Sequence, residues 1–241
     1  MLYPLSILSI LLLALIHLTN GYAPHGHSPR KVQRVLPTPD NATISLSTRA
    51  YWMRKANAAL GELASPCPFA AFGTVIVNHT DVSGDGLGKL VCMGVNSRTT
   101  TGNPILHGEI AAINNCTQIL TDVNGPYKLS GSSAIAAFAS LSLYTNAESC
   151  PMCASAIRWS GFKEYIFGTT IETLVDQGWS QIDILSKDVF EESLGLGTTT
   201  SYLGGILMNE TDPYFAWQFD TDSPCPVGCQ RVNAGSSCAA S

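Results

Sequence analysis

The run TNAESCPMCASAIRWSGF, Thr145–Phe162, puts Cys150 and Cys153 three residues apart with Pro151 between them. Upstream, AIAAFASLSLYTN (Ala134–Asn146) reads as a buried strand. Downstream, a helix opens at Cys150 and runs to about Ser160. Two thiols in the first turn of a helix meet unpaired N–H groups and the positive end of the helix dipole, both of which favour thiolate. A strand that feeds such a helix is half of an α/β unit, and the rest of the chain repeats that alternation.

Upstream, HGEIAAINNCTQIL (His107–Leu120) carries apolar residues on one face and reads as a helix. Before it, FAAFGTVIVN (Phe69–Asn78) and LVCMGVN (Leu90–Asn96) flank the turn-rich TDVSGDGLGK, which predicts a hairpin. A first helix follows Ser45 or Ser47 as cap, with Leu46, Ala50, Met53, Ala56, Asn57, Leu60 and Leu63 near one face. Trp52, Met53 and Met93 read as core. Downstream, FKEYIFGTT predicts a strand, and IETLVDQG and SKDVFEES short helices. Helix and strand alternate after a hairpin, so the expected class is an α/β sandwich with several parallel strands. The expected organisation is a leader over residues 1–21, an irregular arm over 22–44, one domain over 45–195 and a cysteine-containing extension over 196–241.

The leader is an apolar run, LSILSILLLALIHL (Leu5–Leu18), closed by small residues with a cut near Gly21. It is too short to span a bilayer comfortably, so a signal peptide is expected rather than an anchor, leaving the mature protein secreted and off the membrane. Four N-x-[ST] sequons, at Asn41, Asn78, Asn115 and Asn209, agree with export and glycosylation. His25 and His27 read as solvated residues of the arm. The net charge is −5 and only 13% of residues are charged, which argues against the basic footprint of a duplex or long RNA partner but does not exclude a single base or nucleoside.

Export sharpens the cysteine problem. There are eight: Cys67, Cys92, Cys116, Cys150, Cys153, Cys225, Cys229 and Cys238. In an oxidising compartment they are expected to pair. Six remain if Cys150 and Cys153 are set aside, enough for three bridges; one between Cys67 and Cys92, which flank the hairpin, is plausible. A second motif explains why two would stay free. His107 and Cys150 each begin a helix, and helix starts of successive units lie at the same edge of such a sheet. One imidazole and two thiolates are three Zn²⁺ ligands, and three leave a fourth position for water, as in catalytic rather than structural zinc. Glu109, at the start of its helix, can point in beside the metal and move a proton from water to a leaving amine. The general signature of zinc deaminases is H-x-E…P-C-x-x-C, which this chain matches except for the proline before the first cysteine. A disulfide or thioredoxin-like redox pair is the competing reading. It expects the Cys-x-x-Cys after the first strand and a later cis-proline loop, and neither fits well.

These segments together resemble the cytidine/deoxycytidylate deaminase superfamily, nearest the branch of guanine deaminases and tRNA-type adenosine deaminases. The likeness runs from about Phe69 to Ile184 and rests on FGTVIVN, GVNSRTTTGNPILHGEIAAI and SCPMCASAIRW. It implies a three-layer α/β/α sandwich with a mixed, mostly five-stranded sheet, and Zn²⁺ on His107, Cys150 and Cys153. It also implies Glu109 as the proton carrier, and Asn96, the Gly108 N–H and Trp159 against the substrate. Asn96 also suits a turn, and Trp159 also suits core packing. Two positions depart from the pattern. Ser149 replaces the usual proline before the first cysteine and can cap the helix. Thr173, beside Glu172, stands where guanine-specific members have Asp. The expected activity is hydrolytic deamination of a nucleobase or nucleoside, using water and releasing ammonia. A homodimer follows by resemblance only. The alternative is a secreted deaminase-fold module that binds zinc or a purine without turning it over.

Overall fold

A computed structural model describes residues 35–40, 43–81, 84–233 and 237–241. The expected leader, His25, His27 and Asn41 lie outside the described residues.

The first helix, α1 (Leu46–Leu63), is capped by Ser45, whose side chain accepts from the Thr48 N–H. It is followed by β1 (Gly73–Asn78) and β2 (Lys89–Val95), which pair antiparallel as the expected hairpin. A single turn, α2 (Arg98–Thr101), leads to α3 (Gly108–Thr121). Then come α4 (Gly131–Ala137), a 3-10 turn at Phe138–Ser140, β3 (Ser142–Ala147), α5 (Pro151–Ser160) and β4 (Glu164–Thr169). The chain continues through α6 (Ile171–Asp176), α7 (Ser186–Glu192), β5 (Ser201–Leu203), α8 (Met208–Thr211) and α9 (Pro213–Ala216). It ends in a second hairpin, β6 (Cys229–Val232) with β7 (Ser237–Ala240).

The main sheet has the order β2-β1-β3-β4-β5. β1 runs antiparallel to β3, while β3, β4 and β5 are parallel. Successive residues of a strand face opposite ways, and each face of this sheet is covered. Ile76, Leu143, Tyr165 and Phe167 meet Ala112, Cys116, Ala154, Ile157 and Phe190 from α3, α5 and α7. Val75, Val77, Tyr144 and Ile166 meet Trp52, Met53, Ala56 and Leu60 of α1, with Leu174 and Phe215. This is the expected three-layer sandwich with a mixed five-stranded sheet.

Several expectations are corrected. Ala134–Asn146 is not one strand: Ser130 caps α4 by accepting from Ser133 N–H, and β3 begins only at Ser142. An apolar run of this kind carries no period that separates strand from buried helix, and its alanines favour helix. On α1 the buried stripe is rotated from the expected one. Arg49 and Trp52 are inside, whereas Leu46 and Leu63 are exposed. Met93 is only partly buried. Sheet and core continue beyond residue 195, because β5 pairs with β4 and Phe215 is fully buried. The described part of the arm is also held, since Pro37 O accepts from Tyr202 N–H at 2.8 Å.

Two buried cations brace the frame. Arg49 on α1 forks onto Glu164 at the start of β4, at 3.1 and 3.3 Å, and Ser142 Oγ donates to the same carboxylate at 2.7 Å. Arg158 on α5 donates to Ser193 Oγ and Thr200 Oγ1 and to the carbonyls of Ser193 and Thr198.

Three disulfides join Cys67 to Cys229, Cys92 to Cys116, and Cys225 to Cys238. The expected Cys67–Cys92 bridge is therefore absent. Cys92 on β2 instead reaches across the layer to Cys116 on α3, and Cys67 ties the loop after α1 to the terminal hairpin. Cys150 and Cys153 carry free thiols. No helix among the described residues is long and apolar enough to cross a membrane.

Candidate active site

The site lies where two helices begin at one end of the sheet. His107 is the N-cap residue of α3, with extended backbone at φ −71° and ψ 168° and no side-chain capping bond, so its imidazole is free to turn outward. Cys150 is the N-cap residue of α5 and Pro151 follows at the first helical position. There its missing N–H costs nothing and its fixed φ suits the helix. Gly161, in the left-handed region at φ 73°, ends that helix. Thus Cys150 and Cys153 share one turn, and β3 and β1 bring that turn to His107.

The ligand-capable atoms of His107, Cys150 and Cys153 all lie within 4.8 Å of one another. His107 Nδ1 and Cys150 Sγ are 3.6 Å apart. Tetrahedral zinc with its usual bond lengths holds neighbouring nitrogen and sulfur atoms roughly 3.5–3.8 Å apart. The donor set therefore fits that ion in number, chemistry and spacing.

The electrostatics of the protein groups agree. A hydrogen bond with Cys153, aided by His107, pulls the Cys150 thiol down to about 4 despite burial. Cys153 moves the other way, raised by the shared proton with Cys150 and by burial. The contact with Cys150 raises His107. Thiols bind a metal ion as thiolates, so taking up a cation here would release protons. Glu109, in the first turn of α3, is only 4% exposed. Burial, and then the negative charge of Cys150, push its carboxyl above the usual range.

A cavity of about 120 Å³ opens onto His107, Glu109 and Cys150. Phe72, Ala70 and Trp179 form its apolar walls, and Asn96, Arg98, Ser180 and Gln181 contribute polar groups. Trp179 is set edge-on to Phe72, Phe215 and Phe219. Asn96 lies in the cavity and also serves its turn, its Oδ1 accepting from Arg98 N–H at 3.2 Å. Gly108 is buried in the first turn of α3, where a Cβ would lie 2.6 Å from Phe72 O. Trp159 is elsewhere. It is 75% exposed on the outer side of α5, beside a groove shared with Arg158 and Val189, so it is neither core nor cavity wall. Thr173 and Glu172 are also away from the cavity lining; Thr173 belongs to the cap of α6. Ser149 does not cap α5. Its backbone N–H donates to Tyr165 Oη at 2.8 Å, a bond that proline could not make.

Two residues escaped the sequence reading. Glu148 is buried beside the cavity and accepts from Ile171 N–H, Ser186 N–H and Ser186 Oγ. It ties the starts of α6 and α7 to the Cys150 turn. Asn146 donates to Ala71 O at 2.8 Å and accepts from Gly73 N–H at 2.9 Å, which holds the loop bearing Phe72. Both stand within a few residues of Cys150, but only the packing reveals their partners.

The family model for the cytidine and deoxycytidylate deaminase zinc-binding region matches residues 46–169, a little over half of the chain. The chain belongs to this deaminase family. It is 27% identical over 150 residues to a guanine deaminase of Bacillus subtilis, covering 61% of this chain and 79% of that protein. A probable cytosine deaminase of Schizosaccharomyces pombe is 30% identical over 104 residues, covering 43% of this chain and 50% of that protein. Among solved structures, a guanine deaminase of Nitrosomonas europaea superposes with a TM-score of 0.48 at 16% identity, over 76% of this chain and 85% of that one. The deaminase is accordingly a hydrolase of C–N bonds in a zinc-binding family, and His107, Cys150 and Cys153 are the group that fits the metal.

Proposed function

We propose that this deaminase is a secreted, glycosylated enzyme that hydrolyses the amino group from a free nucleobase of the guanine or cytosine type. The observation that carries the reading is the buried Glu109, set beside His107 and Cys150 at the floor of a small cavity with aromatic walls. The relatives named for guanine and cytosine support the substrate class. The cavity volume of about 120 Å³ is below the roughly 300–1,000 Å³ of pockets for drug-sized ligands, which favours a lone base over a nucleoside.

Zinc on the three ligands would supply Lewis acidity, making water nucleophilic near neutral pH. Phe72 and Trp179 hold the planar ring and keep bulk water out. Glu109 accepts the proton of the attacking water, then returns protons to a ring nitrogen and to the departing amine. A C–O bond forms, the C–N bond breaks, and ammonia leaves. A carboxyl whose affinity for protons is raised by burial suits a group that both takes and gives one.

Export is supported by the cysteines: six are paired and the two metal-ligand candidates are the free ones. The test uses zinc-loaded protein purified from culture medium. Ammonia release is followed from guanine, cytosine, adenine and their nucleosides, beside Glu109→Gln. The expected result is turnover of a free base that falls about 10²–10⁴-fold in the variant while zinc content stays at that of the parent. Silence across the panel, or equal rates from the variant, would reject the reading.

A further inference from the structure

One wall of the cavity rests on strained backbone. Ala70, which lines the cavity, stands at φ 57°, in the left-handed region. A Cβ there crowds the following carbonyl and disfavours alanine by roughly tenfold. Such a conformation persists only where the surroundings over-determine it. Here it belongs to a tight turn, in which Phe72 N–H donates to Ala70 O at 2.8 Å. The turn sets Phe72, the second residue of this loop in the cavity wall, and Phe72 O in turn accepts from Asn96 N–H at 3.0 Å. The wall, and the Asn96 loop hung on it, therefore depend on Ala70 keeping that conformation.

The group that holds Ala70 comes from the far end of the chain. Gln218, just after α9, lies outside the residues matched by the family model, 46–169. Its Oε1 accepts from Ala70 N–H at 2.9 Å. Its Nε2 donates to Tyr214 O at 2.7 Å and to Pro68 O at 3.4 Å. The bond to Tyr214, one turn back, orients the amide so that its oxygen faces an N–H and its nitrogen faces carbonyls. One side chain thus grips the loop on both sides of Phe69, whose ring packs on Trp179 and Phe219 at 5.5 and 6.0 Å. Asn146 bonds to Ala71 and Gly73 of the same loop and leaves Ala70 to Gln218.

We propose that Gln218 is a positioning residue for this cavity: its amide keeps Ala70 in the left-handed conformation that builds the Phe72 wall. The consequence for catalysis rests on the proposed base-deaminase reading. Gln218 does not line the cavity and acts through Ala70 and Phe72. A hydrogen bond of this kind favours the gripped state by about 2- to 10-fold, the same order as the strain that opposes it. Without the amide, the loop divides between the wall-forming state and relaxed ones. A base binds only the competent fraction, so its apparent affinity falls by that fraction, while the rate from the filled site stays the same.

Gln218→Met keeps the length of the side chain and removes the amide. On the full zinc-loaded protein, with the base turned over fastest, KM should rise about three- to tenfold while kcat stays within about twofold of the parent. Adding Ala70→Gly should bring KM back to within about twofold, because glycine enters the left-handed region freely. Amide hydrogen exchange needs no turnover. It should quicken at Ala70 and Phe72 in Gln218→Met and slow again at Phe72 when Ala70→Gly is added. Zinc content and thermal unfolding are followed alongside. A brace that only added stability would lower the unfolding temperature without moving KM, and the glycine would deepen that loss rather than repair it. Unchanged KM and exchange, a loss that falls equally on kcat, or no rescue by Ala70→Gly overturns the proposal. A parent that releases ammonia from no base, with the exchange pattern as expected, leaves this clamp standing and sinks the proposed function instead.

Discussion

Replacing both Cys67 and Cys229 by alanine tests how the terminal hairpin is held to the sandwich. The bridge closes a loop with a sequence separation of 162 residues. A cross-link removes entropy from the unfolded chain in proportion to the logarithm of that length, which for this loop gives about 5 kcal/mol at 25 °C. The same treatment gives about 3.5 kcal/mol for Cys92–Cys116, whose separation is 24. Little apolar surface otherwise holds the hairpin. Its cluster consists of Trp217, Cys67 and Cys238, with Cys225 and Cys229 packed against it. The loop that carries Cys67 also carries Ala70 and Phe72 of the cavity wall, so the effect should reach the site. At about 2–4 °C per kcal/mol for a domain of this size, the midpoint of thermal unfolding should fall by about 10–20 °C. Calorimetry on parent and double variant, with the cross-linked peptide identified by mass spectrometry in the parent, measures this. A double variant that unfolds within about 1 kcal/mol of the parent would refute the loop-entropy argument for this bridge.

Three further outcomes are expected. Glu164→Gln should cost about 3–5 kcal/mol in chemical denaturation, because it leaves the fully buried Arg49 guanidinium without its counter-charge. Gly108→Ala should lower kcat/KM for any base turned over, since the new Cβ would press on Phe72 O at 2.6 Å and push a cavity wall; unchanged kinetics would contradict that close approach. Acid should weaken the fold through His79. Its ring donates from Nδ1 to Leu87 O and accepts at Nε2 from Tyr144 Oη, and burial lowers its pKa below 6.5. The unfolded chain then binds the proton more readily than the native one. This contribution is present above about pH 6.5 and is lost as pH falls through the lower native value. His79→Gln should flatten that part of the stability–pH curve, and an unchanged curve would remove His79 from the account.

The arrangement at the helix starts explains how a chain with three disulfides can keep a thiol pair. Cys150 and Cys153 share a turn aimed at an imidazole, while each of the other six cysteines has a disulfide partner on a different element or across a loop. A metal held there would protect the thiols from oxidation. Ser149, although it replaces proline, keeps the turn in place through Tyr165 Oη.

Local chemistry made much of this legible in the chain. Pro151 after a strand marked a helix start, Ser45 marked another, and His107, Glu109, Cys150 and Cys153 have side chains whose chemistry narrows the ion and the proton carrier. The α/β alternation also survives, because burial on both faces requires apolar strands that the chain displays openly. What depended on packing has no local period. The alanine-rich run before β3 could be helix or strand until Ser130 capped it. The six cysteines allowed many pairings until the sheet placed Cys92 beneath Cys116. Asn146 read only as the end of a strand, Glu148 was not singled out, and Trp159 looked like a buried residue, because partners distant in sequence decide where a side chain points. The cavity itself is such a product: Asn96, Cys150 and Trp179 come from separate loops, and only the stacking of the layers brings them around one space.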